Sequence, residues 1–556
     1  MEILHKLLMF SQACLLAALP GIAACGSSGG DSGLPVYELT SEAYSTLQRN
    51  WEPLTPSAET RQAMADDVFT VYDHQASLEA GLGVREAAGQ AWIERDDLAP
   101  DFEEGDPAGR RSLAYIWLAA DPQIIDEESP IRIEPLEILY RPNGHLSPQV
   151  WESHVRTARR VNDLSGRPFD FVLLAGDLTD GAQKNELSWT LDILAGGDID
   201  PDSGLDDDPV VGPGNDYNDP FQAIGLDRPW YAAIGNHDCN YNGGFDRITD
   251  ELREAATGRE LFDFPVFVNG FCDGSTSDAE LRTEGPTPAD PERIPLRREE
   301  FLAALHEAPG EPAGHGLTEA DVATGRGYYS AHPIAGKPVR LVVLDTANSE
   351  PVGIADGSEG YCSQAQADWL ALELDAATEA RELVIVMSHH RPEDFGDATE
   401  VSGEQIREML SAAPNVVLHL VGHGHANVKR MVPPAPATDA GGYWQIMGPS
   451  PLDFPLQSRV VELVWEGNGF LSIYLTNLDH NAPEDSLAAY ARQLAGVKLA
   501  FGPARGNEEV DAYWLGQLEA QNLMLRQPLP AALVESLSGH EWPTRIESVD
   551  TLQSLH

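Results

Sequence analysis

Four times along this chain an apolar run ends in a loop that carries metal-binding side chains. Phe169–Ala175 runs into Gly176-Asp177-Leu178-Thr179-Asp180, and Trp230–Ile234 runs into Gly235-Asn236-His237-Asp238. Leu383–Met387 runs into Ser388-His389-His390-Arg391, and Val416–Val421 runs into Gly422-His423-Gly424-His425. Apolar runs of this length, bounded by turn residues, read as buried strands. Glycines let the backbone turn sharply as it leaves them. Ligands placed at strand C-termini converge in the crevice where open α/β sheets do their chemistry.

The intervening sequence supports an α/β reading. Leu113–Ala120 is a further apolar run, ahead of the first motif. Ser147-Pro148 opens a helix, with Ser as cap and Pro in the first turn. Trp151, Val155, Ala158 and Val161 share one face of it, and Gly166 stops it. Strand, helix and strand with a long crossover make a βαβ unit. The pattern returns with a strand at Val339–Leu344 and a capping box at Ser363-x-x-Gln366, followed by Trp369, Leu370 and Leu374 at helical spacing. A helix is expected around Glu404–Ala413. Arg459–Trp465 and Phe470–Thr476 flank Glu466-Gly467-Asn468-Gly469, a hairpin signal. Residues 34–110 show mixed helix and loop signals. Beyond about Ala482 a helix over Ser486–Lys498 precedes Pro-rich, helix-prone pieces.

Charge limits the substrate. The 556 residues include 89 Asp and Glu against 36 Lys and Arg, a formal net charge of −53. Hydrophobic residues make up 42%, enough for a sizeable core, so the acidity does not imply disorder. Such a surface repels polyphosphate over long range and disfavours a nucleic-acid polymer as partner. A small anion is a different case, because a local cation cancels the field. Carboxylate, amide oxygen and imidazole together suit Mn, Fe or Zn better than calcium. Two such ions ~3.5–4 Å apart share a carboxylate, acidify water and clamp the oxygens of an in-line displacement at phosphorus. A separate acidic stretch, Asp198-x-Asp200-x-Asp202-x-Gly204-x-Asp206, alternates oxygen donors as calcium loops do. Its glycine stands seventh instead of sixth, and Pro209 stands where a calcium loop has Glu, so it reads as a solvated loop.

The order GDxxD, GNHD, strand-end His and GHxH resembles the calcineurin-like metallophosphoesterases, most closely their exported bacterial branch, over roughly Leu113 to His480. The resemblance implies an αββα sandwich, two packed mixed β-sheets flanked by helices, with N- and C-terminal extensions. It also implies hydrolysis of phosphate mono- or diesters by a hydroxide bridging two divalent or trivalent metal ions. The family opens with DxH after its first strand. Here Asp121-Pro122-Gln123 follows Leu113–Ala120, so Asp121 fits as a ligand and Gln123 stands where the family has His. An amide oxygen coordinates more weakly than imidazole, so the first metal is expected to be looser.

Carried over residue by residue, the resemblance implies that Asp121, Gln123, Asp177 and His425 hold the first metal. Asp177 bridges, and Asn236, His389 and His423 hold the second. His237 becomes the general acid toward the leaving oxygen, oriented by Asp180. Of the doubled His389-His390 the first is the ligand, while His390 and Arg391 lie behind it or touch substrate phosphate. The GDxxD motif holds no Tyr, unlike the purple iron-phenolate subgroup. A non-catalytic, metal-binding surface lipoprotein on the same fold is the alternative; Gln123 favours it, whereas His237 and Asp180 oppose it. His419 reads as a core residue and Asp345 equally as a loop residue or a support to the site. Asp479-His480 takes no role.

The N-terminus carries a compartment signal. Lys6 precedes an apolar run from Leu7 to Ala24, interrupted by Ser11, Gln12, Pro20 and Gly21, which suits a secretory signal better than a membrane span. Ile22-Ala23-Ala24-Cys25 resembles a bacterial lipobox. That implies cleavage before Cys25, a diacylglycerol on its thiol, and Gly26–Gly33 as a flexible tether. The expected partners are a phosphate-ester substrate and a bacterial membrane, the latter reached through the anchor, with the protein in the periplasm or at the cell surface. The chain then divides into a signal peptide (1–24), a tether and acidic N-terminal extension (25–110), a metallophosphoesterase domain (111–480) and a helical C-terminal extension (481–556). Cys239, Cys272 and Cys362 are left for an oxidising compartment. Cys239–Cys272 is the favoured disulfide, although spacing leaves the connectivity open.

Overall fold

The computed structural model describes residues 34, 45–131, 140–165, 167–205, 208–244, 246–259, 261–263, 280–282, 288–348, 356–436, 441–501 and 516–540. The signal segment, Cys25 and Cys272 lie outside them. Among the described residues no helix is long and apolar enough to cross a membrane.

In chain order, two large sheets are built from β1 Ile93–Arg95, β2 Arg111–Ala119, β3 Phe171–Leu174, β4 Trp230–Ala232, β5 Tyr329–Ala331, β6 Val339–Val343 and β7 Leu383–Met387. They continue with β8 Val416–Val421, β9 Val428–Val432, β10 Tyr443–Met447, β11 Gln457–Trp465, β12 Phe470–Asp479 and β13 Leu523–Pro528. Seven strands form one sheet in the order β1-β13-β12-β11-β2-β3-β4, and six form the other in the order β5-β6-β7-β8-β10-β9. Both are mixed: β2, β3 and β4 run parallel, as do β6, β7, β8 and β10, with antiparallel strands beside them. The hairpin of β11 and β12 is where the Gly-Asn-Gly signal places it.

Alternation along the strands fixes the layers. In the six-stranded sheet Leu341, Val343, Ile385, Met387, Leu418, Leu420 and Ile446 join the large core shared with the other sheet. Val342, Val384, Val386 and Val416 of the same strands join Leu370 and Leu374 of helix α2, Gln364–Ala380, and Ile406 and Leu410 of α3, Gly403–Ala412. Successive strand residues face opposite ways. One face therefore lies on the seven-stranded sheet and the other under helices. Helix α1, Ser147–Ser165, packs on the seven-stranded sheet, where Trp151 stacks on Trp117 at 5.7 Å between ring centroids. Its Val155, Ala158 and Val161 are buried, as their spacing requires. The result is the αββα sandwich, two packed mixed sheets flanked by helices. Local signals behave as the sequence suggests at Ser363, whose hydroxyl accepts the Gln366 N–H at 3.2 Å. At Ser147 the hydroxyl instead accepts the Ile125 N–H at 2.9 Å and so ties α1 to the loop after β2.

The sheet ignores the boundaries drawn at residues 110 and 480. Strand β1 comes from the N-terminal segment, and β13 from the C-terminal one, which is therefore not wholly helical. Strand β13 covers the edge of β12, and β1 lines up beside it. Trp51 and Val84, from a separate antiparallel pair (Arg49–Pro53 with Val84–Ala88), pack with Ala488, Ala491 and Ala495 of helix Leu487–Phe501. These strands are short and mixed in polarity, and they carry no periodic signal. Cys239 holds a free, buried thiol, and Cys272, its favoured partner, lies outside the described residues. In the acidic stretch Asp198 and Asp200 are exposed, and Ser203 is held by fully buried Arg293 and Asp126. Asp206 lies outside the described residues.

Candidate metal centre

The C-terminal ends of parallel strands from both sheets meet at one place. Asp121 and Gln123 follow β2, Asp177 follows β3, and Asn236 and His237 follow β4. His389 follows β7, and His423 and His425 follow β8. Five of these residues stand in the left-handed region: Asp121 (φ 54°), Gln123 (38°), Asp177 (52°), His423 (70°) and His425 (51°). Non-glycine residues there cost on the order of 1 kcal/mol each and persist only where neighbours hold them. Here loop holds loop. The Asp121 N–H donates to Gly176 O at 3.1 Å, Gln123 N–H to Asp177 O at 3.0 Å, and Gly422 N–H to His389 O at 3.0 Å. Gly235 is required by close approach, since a Cβ there would lie 2.0 Å from Asp177 Oδ1.

Contacts link all seven expected ligands. His389 Nδ1–H donates to Ala175 O at 2.8 Å, which leaves Nε2 facing Asn236 Oδ1 at 2.9 Å, Asp177 Oδ2 at 3.2 Å and Asp121 Oδ1 at 3.9 Å. His423 Nδ1 lies 3.1 Å from Asn236 Oδ1, and its backbone N–H donates to Asp121 Oδ1 at 2.9 Å. His425 turns Nδ1 to the Asp453 carboxylate and Nε2 to Asp121 Oδ1 at 3.4 Å. Gln123 Nε2 lies 3.3 Å from Asp177 Oδ2. Ligand atoms of Asp121, Asp177 and His389 lie within 4.8 Å of one another, as do those of His389, His390 and His423.

The electrostatics ask for cations. Asp121 and Asp177 are both fully buried. Burial opposes ionisation of Asp177, yet His389 and His237 beside it hold its pKa well below the carboxylate range. Burial likewise opposes a charge on His389 and His425, but Asp177 lifts the first to about 9 and Asp121 lifts the second to about 10. Protons on these imidazoles thus balance carboxylates that a metal ion balances better. His423, brought down to about 4 by burial and by His389, and His390, held well below its usual value by burial and by His423, stay neutral with lone pairs available. Gln123 Oε1 is buried with no hydrogen-bond partner. Carboxylates, amide oxygens and neutral imidazoles, one buried oxygen among them unsatisfied, fit one or two borderline divalent ions.

His237 lies at the edge of this nest. Its N–H donates to Asp177 Oδ1 at 2.8 Å. Its Nδ1 lies 2.7 Å from the Asp180 backbone carbonyl and 3.5 Å from the Asp180 carboxylate, so the carbonyl orients the ring. His390 Nδ1 meets Thr346 Oγ1 at 3.1 Å. Arg391 forks onto Asp394 at 2.6 and 2.8 Å, three residues along the same turn. His419 sits in the core against Ser388 Oγ, and Asp345 pairs with Arg298.

Sequence reasoning passed over three side chains. Asp238 accepts the N–H groups of Leu178, Thr179 and Gly235 at 2.7, 3.1 and 2.9 Å, pinning two motif loops together. Burial, then the charge of Asp177, pushes its pKa up to about 7. Asp453 stands in the loop after β10, a sixth parallel strand end with its own apolar run, Tyr443–Met447. Among the described residues no strand runs into Arg141, and nothing local in the sequence marks it.

No family model matches the chain, and no curated protein matches it. Among solved structures, it is similar to a dimetal phosphatase from Danio rerio at 13% identity and a TM-score of 0.36, over 66% of this chain and 97% of that one. It is also similar to a purple acid phosphatase isolated from yellow lupin (Lupinus luteus) seeds at 12% identity and a TM-score of 0.29, over 71% of this chain and 56% of that one.

Proposed function

We propose that the chain is a metal-dependent phosphoesterase acting on phosphate mono- or diesters outside the cytoplasm, tethered to a bacterial membrane through lipid on Cys25. The observation that carries the reading is the pair of buried carboxylates, Asp121 and Asp177, ringed by imidazoles and amides, with protonated histidine the one cation against them among the described residues. Asp121, Gln123, Asp177 and His425 would hold one ion, and Asp177, Asn236, His389 and His423 a second. When bound, such ions supply positive charge for an anionic ester and acidify water at neutral pH.

The chain's own groups do the rest. His389 and His425 are fixed in orientation by Ala175 O and Asp453, which sets the tautomer that offers Nε2 to a cation. His237 donates its Nδ1–H to Asp180 O, so Nε2 is the atom left to pass a proton to a leaving oxygen. The apolar sheets beneath bury Asp121, Asp177 and His389, which strengthens the charge interactions among them.

The test is turnover of p-nitrophenyl phosphate and bis-p-nitrophenyl phosphate by metal-stripped protein with Mn, Zn or Fe added back. Metal-dependent hydrolysis of either is expected. Metal binding without turnover of either would sink the enzyme reading and favour a metal-binding surface protein. Labelling with palmitate tests the anchor, and a Cys25→Ala chain that still partitions with membranes would overturn it.

A further inference from the structure

Two histidines of the nest each lean on an aspartate, and one guanidinium grips both aspartates. Arg141 Nε donates to Asp453 Oδ2 at 3.2 Å and Oδ1 at 3.3 Å, while its Nη1 donates to Asp180 Oδ1 at 3.3 Å. Asp453 accepts from His425 Nδ1, and Asp180 accepts through its carbonyl from His237 Nδ1. The line runs His425–Asp453–Arg141–Asp180–His237. It joins a histidine that faces Asp121 to the histidine offered as proton donor.

The surroundings hold this line in place. Arg141 sits in a turn closed by the Gly144 N–H on its own carbonyl at 2.9 Å. Asn143 Nδ2 donates to Leu452 O at 2.6 Å, next to Asp453. Ser450 Oγ donates to Asp121 O at 2.7 Å, which ties the same loop to a ligand. The Arg141 side chain is 19% exposed and that of Asp180 14%, so the contact is shielded without being sealed. Burial opposes the charge on Arg141, but Asp453 and Asp180 more than restore it. A planar fork spans two carboxylates at once, whereas an ammonium is a single point of charge.

We propose that Arg141 is a positioning residue that sets the metal-holding imidazole of His425 and the proton-donating imidazole of His237 in one frame. The kinetic side rests on the phosphoesterase reading; the metal-binding side does not. Metal-free wild type, Arg141→Ala, Arg141→Lys and Asp453→Asn are titrated with Mn²⁺ by calorimetry, and kcat and KM are measured on p-nitrophenyl phosphate. In all three variants the weaker metal-binding step is expected to lose about 10- to 100-fold in affinity, the usual cost of removing a support behind a ligand histidine. The tighter step is expected to hold. In Arg141→Ala and Arg141→Lys, kcat is expected to fall by a similar factor, with KM changing less. Methylguanidine is expected to restore kcat to Arg141→Ala, and an equal concentration of tetramethylammonium is not. Unchanged metal steps in Arg141→Ala and Asp453→Asn overturn the proposal. So does full recovery of both readouts in Arg141→Lys, which would reduce Arg141 to a charge. A wild type that binds Mn²⁺ and turns over no ester sinks the phosphoesterase reading instead, and the calorimetry still decides the role of Arg141.

Discussion

The two sheets bring different chemistry to the same place. From the seven-stranded sheet come Asp121, Gln123, Asp177 and Asn236, all oxygen donors and including both negative charges. From the six-stranded sheet come His389, His423 and His425, all nitrogen donors. Neither side is a complete site. The carboxylates alone would be two buried charges at close quarters, which burial punishes. The imidazoles alone would bring no negative charge to draw a cation. A cation held by both sets would bond both sheets at once. Metal loading should therefore also staple the sandwich at its open end, since whatever binds only the folded state stabilises it.

The largest effect should come from the residue that touches both sides. Asp177 contacts His389 and Gln123 through Oδ2 and the His237 N–H through Oδ1. Asp177→Asn keeps the shape and removes the charge. It is expected to lower metal content at both positions and turnover by more than about 100-fold, beyond the cost of losing an indirect support. Metal analysis after dialysis and steady-state assay read both. A variant holding two ions with undiminished kcat would break the idea that the oxygen side carries the charge for both.

Proton traffic comes next. In the metal-free protein His389 and His425 bind protons up to about pH 9 and 10 because Asp177 and Asp121, respectively, outweigh burial. Both pKa values are raised by folding. The stability these protons give is full below the ordinary imidazole pKa and is lost as pH climbs through about 9 and 10. A cation must displace them, so apparent metal affinity should rise with pH, by up to about tenfold per unit for each proton released, and level off above that range. Calorimetry in buffers of different ionisation heat near pH 7.5 should show about two protons leaving. No buffer dependence would mean the nitrogen side is already neutral.

How much of this was legible follows from the same division. Each ligand rides on a strong local signal, an apolar run and then a tight polar loop, so the motifs at Asp177, Asn236, His389 and His423 could be read one by one. The alternation of Val342, Val384 and Val386 against Leu341, Ile385 and Met387 is hidden in runs that look uniformly apolar, since both faces are buried. It took the second sheet to show which face is which. Asp453 had a readable strand before it, but no second donor beside it. Arg141 and the β1–β13 edge depend on contacts across hundreds of residues, with weak local pattern at either end. Arg391 is the opposite case, since its partner Asp394 stands only three residues away in the chain.

A smaller contrast separates Asn236 from Gln123, the two amides of the oxygen side. Asn236 Oδ1 already faces two imidazole nitrogens, at 2.9 and 3.1 Å, and its Nδ2 is tied to Gly243 O at 2.8 Å. Its oxygen is therefore aimed. Asn236→Ala should cost the second ion about 10- to 100-fold in affinity. Gln123 is less committed, and Gln123→Ala should cost less than about tenfold, all of it on the weaker step. Equal losses at the two positions would erase the distinction.

The mildest change is also the sharpest test of why Gln123 is there. Its Oε1 is buried and unpartnered, and its Nε2 leans on Asp177 Oδ2 at 3.3 Å, so the amide holds its place in part by bonding to another ligand. Histidine tolerates the left-handed backbone that this position requires (φ 38°) better than most side chains do. Gln123→His would put a nitrogen donor on the side of the nest that has none. The weaker metal-binding step is expected to tighten, by about tenfold at most, with the tighter step unmoved, because a single donor of better basicity is added at one position only. Ion content after exhaustive dialysis, compared with wild type, reads the change without any assay of turnover. An unaltered weaker step would show that Gln123 does not touch the ion. The looseness of that position would then come from the way Asp121 is shared between His425 and the His423 backbone N–H.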